Sequence, residues 1–142
     1  MSTLKVETIQ DTNGANPSTA EQMSKGRAKA WVNFDGKFNT SPFTTANGGI
    51  RSAFNVSSVT DHATGQYTVH FDTDFLNTNY AAVGFVHRNG STEGKVLCNI
   101  DTLTQQNVDS YRFMVSGTSN ASDVGLTTVD VEYVFLSFFG DQ

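Results

Sequence analysis

The chain has 142 residues, of which 37% are hydrophobic and only 16% charged, with a formal net charge of −5. That length suits a single domain with a real hydrophobic core, and the composition is neither that of a disordered chain nor that of a membrane protein. The acidic balance, with Lys and Arg few and scattered, speaks against a nucleic-acid binder, which needs a basic surface to displace counterions.

Residues 2–10 read as one short strand, with Leu4, Val6 and Ile9 as apolar groups among Thr3, Lys5, Glu7 and Thr8. Residues 11–25 are rich in turn formers, including Asn13-Gly14 and Asn16-Pro17. A short helical turn over residues 18–23 is compatible with Ser18 as cap and Glu21 three residues on. The expected division is therefore an N-terminal attachment strand and linker over residues 1–25, and a β domain over residues 26–142.

The β domain is marked by period-two alternation between turn signals. Strands are expected over residues 28–34, 50–59, 67–72, 80–87, 96–100, 111–115 and 126–139. The clearest is 67–72, where Tyr67, Val69 and Phe71 oppose Thr68, His70 and Asp72. There is no sustained helical spacing of apolar residues. Seven or eight short strands with turns between them point to an all-β, antiparallel β-sandwich.

The last strand loses its polar face. Val129, Val131, Tyr133 and Phe135 are apolar at odd positions, while the even positions pass from Asp130 and Glu132 to Val134, Leu136 and Phe138. A strand with two apolar faces is covered on both sides. The expected second cover is another subunit, with Trp31, Val134, Leu136 and Phe138 at a homo-oligomer interface. The alternative is that the N-terminal segment folds back over the strand. Trp31, among Arg27, Lys29 and Asn33, could also stack on a sugar.

No constellation selects a reaction. Asp35, Asp61, Asp72, Asp74 and Glu93 sit near turns and strand ends, and none forms an evident pair for glycoside hydrolysis. His62, His70 and His87 lack metal-motif spacing, and no Gly-x-Ser-x-Gly or phosphate loop is present. Cys98, the single cysteine, shares a strand face with Val96 and Ile100 and reads as a small buried residue. No catalytic residue, metal or cofactor is expected. The opening residues carry no signal-peptide pattern, and no run is long enough for a membrane helix, so synthesis in the cytoplasm without membrane insertion is expected.

Two parts of the chain resemble tailed-bacteriophage fibre proteins. The opening Ser2-Thr3-Leu4-Lys5-Val6-Glu7-Thr8-Ile9-Gln10-Asp11-Thr12 is similar to a segment that precedes fibre domains, notably in marine phages. Residues 26–36 (Gly-Arg-Ala-Lys-Ala-Trp-Val-Asn-Phe-Asp-Gly), 50–61, 64–71 and 79–84 resemble the start of a recurrent tail-fibre domain. The resemblance implies a virion protein, commonly trimeric and host-facing, and lends no catalytic residues. Its expected function is a short tail fibre in host attachment. The alternatives are a structural connector or decoration on capsid, neck or baseplate, and a sugar hydrolase.

On this reading Leu4, Val6 and Ile9 anchor the chain to other virion proteins. Residues 37–49 are longer than the link the family pattern leads one to expect. They supply Phe38 and Phe43 as candidate receptor contacts, beside the turn with His87, Arg88 and Asn89. The expected partners are further copies of the chain, other virion proteins and host surface polysaccharide.

Overall fold

The computed structural model describes residues 2, 5–10, 12–14, 17–87, 96–100, 106–117 and 127–142, with backbone alone for 96–100. The fold is all-β with antiparallel sheets. A short hairpin of β1 (Thr8–Ile9) and β2 (Ser18–Thr19) leads into α1 (Ala20–Gly26). Thr19, not Ser18, caps the helix: its side chain accepts the Gln22 N–H while the Gln22 side chain accepts the Thr19 N–H, a capping box.

The remaining strands form two sheets. One has the order β4 (Ile50–Phe54), β3 (Ala30–Phe34), β11 (Tyr133–Phe139), β7 (Ala81–His87). The other is built on β9 (Ser110–Gly117). It is flanked on one edge by β6 (Gln66–Phe71) and then β5 (Val56–Ala63), and on the other by β8 (Val96–Ile100). β10 (Thr127–Thr128) continues past β6 along the same edge of β9.

Alternation fixes which residues enter the space between the sheets. Ala30, Val32 and Phe34 from β3 meet Tyr67, Val69 and Phe71 from β6 and Tyr111, Phe113 and Val115 from β9. Val56 and Val59 are three apart yet both buried, because the β5 register shifts between them. Phe34 stands edge-on to Tyr67 at 5.2 Å, and Phe71 edge-on to Phe138 at 5.0 Å. Such pairs add to the roughly 1.5–3 kcal/mol that burying each large side chain contributes.

Residues 50–59 are two strands rather than one. Asn55 has a φ of 54°, a left-handed conformation that Asn tolerates better than most residues. It turns the chain from one sheet to the other. Its side chain holds the corner by accepting the Thr73 N–H at 2.7 Å and donating to the Thr73 carbonyl at 3.0 Å.

The last strand is also divided. β10 belongs to one sheet and β11 to the other, with residues 129–132 crossing between them. Val134, Leu136 and Phe138 face the chain's own core and are buried there. They are therefore not an oligomer interface: the opposite sheet, not a second subunit, covers them.

Residues 37–49 are likewise structural. Phe43 is fully buried, and its backbone bonds Val59 in both directions at 2.7 and 3.0 Å, so the loop lies along β5. Phe38 packs edge-on against Phe43 at 5.6 Å. A Cβ on Gly49 would lie 2.7 Å from the Phe43 Cβ, so only glycine fits there. Phe43 is thus removed from the candidate receptor contacts, and Phe38 spends its ring on the core.

A polar network ties the crossing segment to the β5–β6 turn. The Tyr67 hydroxyl lies 2.6 Å from Asp130 Oδ1 and 2.8 Å from the Gly36 carbonyl. The Gly65 N–H, at a φ of 68°, donates to the same Asp130 oxygen at 2.6 Å. Burial, and then the bond to Asp130, push the Tyr67 phenol far above its usual range.

Asp61 lies in the field of Asp130. Its carboxyl is raised above the ordinary range, first by burial and then by the Asp130 charge, against opposing effects of His62 and the Ala63 N–H. Its Oδ1 is enclosed without a hydrogen-bond partner among the described residues. A raised folded pKa means that the proton on Asp61 favours the fold in acid. That contribution is fully present below the unfolded value and is lost as pH rises through the folded one. Asp61→Asn is therefore expected to raise the melting temperature modestly at neutral pH and to leave it unchanged in strong acid. Thermal melts of both proteins across that range check this; equal differences at both ends would refute it.

Candidate interaction surface

Since the inner residues of the β4–β3–β11–β7 sheet feed the core, their neighbours in sequence must face outward. Register places Trp31 opposite Phe54 and Ser137, and Ser137 opposite Val83, so one row reads Phe54–Trp31–Ser137–Val83 across all four strands. The next row reads Ser52–Asn33–Phe135–Phe85. A third pairs Tyr133 with His87.

The apolar members of these rows are uncovered. Phe85 is 78% exposed, Phe54 53%, Val83 50%, Phe135 38% and Trp31 37%. An aromatic side chain carries roughly 150–250 Å² of surface, so the five together expose on the order of 500 Å². At the centre of the patch the Asn33 Oδ1 is shut from solvent and has no hydrogen-bond partner among the described residues.

The rim is charged but paired. A register irregularity between Asn33 and Phe34 leaves Arg51 as an extra residue on β4. Its guanidinium lies 4.4 Å from the centre of the Tyr133 ring, with Nη2 2.9 Å from Asp35 Oδ2. Lys37 meets Glu132 at 2.6 Å. Tyr133 and Phe135 lie nearly parallel with centroids 6.2 Å apart, and the His87 ring is 5.5 Å from Tyr133.

The outer face of the other sheet differs in kind. Thr60 and His70, His62 and Thr68, and Arg112 and Gln66 are joined by hydrogen bonds of 2.9, 2.9 and 3.0 Å. These polar groups are matched to one another. Among the described side chains, the two outer faces of the sandwich thus differ, the first apolar and the second polar.

Of the residues singled out in the sequence, Trp31 belongs to this patch. Phe54, Val83, Phe85 and Phe135 were not singled out. The signal for β7 was present in the run Ala81-Ala82-Val83-Gly84-Phe85-Val86, which lacks any polar alternation. Phe54 carried no such signal, because its place beside Trp31 follows from pairing. Val6 and Ile9 are exposed, and Leu4 lies outside the described residues. His87 is exposed at the end of β7; Arg88 and Asn89 lie outside the described residues, as does the Cys98 side chain.

Among the described residues no group of three or more His, Cys, Asp or Glu side chains could hold a metal ion, and no helix is long and apolar enough to cross a membrane. No family model, no curated protein and no solved structure matches the chain.

Proposed function

We propose that this chain is a structural module of a tailed-phage virion, a short trimeric tail fibre that takes part in host attachment. The observation that carries the reading is the uncovered apolar face of the β4–β3–β11–β7 sheet. A contiguous apolar patch of that size matches the largest that a typical monomer exposes, and such patches often mark a contact site. The resemblance to fibre domains supports the reading further. Its segments, residues 26–36, 50–61, 64–71 and 79–84, coincide with the strands that build the sandwich and with the turn that joins β5 to β6. The departure at residues 37–49 supplies a piece of core and covers an edge of β5.

The exposed Val6 and Ile9, next to Leu4, suit an anchor that pairs with another virion protein. The turn with His87, Arg88 and Asn89 is the remaining candidate for host polysaccharide. The use of Phe43 and Phe38 by the core favours a second reading, a connector or decoration with no receptor of its own. Labelling purified particles with an antibody against the chain separates these. Label at the tail supports the fibre, and label at the head or neck supports the connector. Absence of the chain from particles overturns both. A chain lacking residues 1–10 is expected to fold and to be missing from particles.

A further inference from the structure

We infer that the apolar outer face of the β4–β3–β11–β7 sheet is where further copies of this chain meet, each copy covering the same face of its neighbours. The inference rests on the reading of the chain as an oligomeric module and supplies that module's contact surface.

Area is the first argument. A stable interface buries about 800 Å² per partner, with an apolar centre and a polar rim. The patch supplies on the order of 500 Å² of apolar centre. Tyr133, His87, Arg51 and Ser52 border it and add to the area that a neighbour can bury.

Charge is the second. The chain carries a net charge of −5, so copies repel each other in general. On this face the rim holds Arg51 with Asp35 and Lys37 with Glu132, two cations already neutralised by two anions. At these two pairs, copies can approach without desolvating an unpaired charge.

Relief is the third. Phe85 is the most exposed of the five, whereas Ser137 is a small residue between Trp31 and Val83 in the neighbouring row. A ring that projects and a small residue beside it give one copy a knob and its neighbour a place to receive it, as a head-to-tail contact that closes into a ring requires. The N-terminal unit borders the same end of the sheet: α1 runs almost directly into β3, and Lys29 Nζ donates to Ser24 Oγ at 3.1 Å.

Light scattering on the purified chain tests this with three variants. Phe85→Glu alters the centre of the patch, Phe54→Lys its opposite edge, and Thr60→Glu the polar face of the other sheet. The wild type and Thr60→Glu are expected to be oligomers of equal mass. Phe85→Glu is expected to be a monomer with an unchanged far-ultraviolet circular dichroism spectrum. Phe54→Lys is expected to weaken assembly tenfold or more, and decides the matter if Phe85→Glu does not fold. A wild-type oligomer whose mass neither patch variant alters overturns this interface and leaves the oligomeric reading standing. A wild-type monomer at high micromolar concentration overturns both.

Discussion

Phe138→Asp is expected to unfold the chain, at a cost above about 4 kcal/mol, and not merely to separate subunits. Phe138 is fully buried, with its ring edge-on to Phe71 at 5.0 Å, Tyr111 at 5.3 Å and Tyr80 at 6.1 Å. No cation stands among these neighbours to pair with a carboxylate. The substitution removes the ring from a cluster that spans both sheets and leaves a charge where it cannot be solvated. Total stabilities of about 5–15 kcal/mol leave little margin for such a loss. Circular dichroism and thermal denaturation decide it; a cooperative transition near that of the wild type would refute the core placement. The contrast with Phe85→Glu, which is expected to spare the fold, separates the two faces of one sheet.

The same contrast explains how far the last strand could be read. Two-sided apolar character over residues 133–139 is legible in the sequence, and the structure does cover one side and leave the other bare. Which side is which is not legible. Val131 is buried at an odd position, and an unbroken strand would then bury Tyr133 and Phe135 as well. Instead the chain crosses from one sheet to the other over residues 129–132, and the parity resets. Val134, Leu136 and Phe138 then take the core, and Phe135 the surface. Alternation counts residues along one strand and carries no information across a crossing.

A comparable loss occurs at Asn55. Neither glycine nor proline marks the corner, so residues 50–59 read as one strand, and the division between sheets is set by the left-handed Asn. The helix cap shows the opposite case, in which two readings fit one pattern. Ser18 with Glu21 and Thr19 with Gln22 both have capping-box spacing. Pairing of Thr19 with Thr8 in the hairpin keeps Thr19 extended, so the helix begins at Ala20 and the cap falls to Thr19. The interaction surface was the least legible part, because it is assembled from four strands whose adjacency only register reveals. Trp31 was visible alone, and Phe54, Phe85 and Phe135 acquire their meaning beside it.

Phe43→Ala is expected to destabilise the chain by about 3–5 kcal/mol, the range for deleting a buried aromatic ring. The ring fills the space beside Phe34 at 5.9 Å and Tyr67 at 6.3 Å, and Phe38 closes over it at 5.6 Å. The loop around it is already rigid: Asn47 Oδ1 accepts the Thr44 and Gly49 N–H groups at 2.9 and 3.1 Å, and Asn47 Nδ2 donates to the Pro42 carbonyl at 2.9 Å. A loop so constrained collapses poorly into a vacated site, which places the cost toward the upper end of the range. A second consequence follows from the edge. Phe43 and Ser41 occupy the Val59 and Asp61 backbone groups on the free side of β5. If the loop loosens, that edge becomes open to pairing with other chains. Phe43→Ala is therefore expected to aggregate at lower temperature than the wild type, beyond what its shifted urea midpoint alone accounts for. Phe38→Ala, which removes a ring only partly buried, is expected to cost less and to leave the edge covered. Urea titration and light scattering on both variants measure the two effects. An unfolding free energy of Phe43→Ala within about 1 kcal/mol of the wild type, in an unaggregated protein, would mean that the loop is dispensable to the fold and would return its aromatic residues to the candidates for receptor contact.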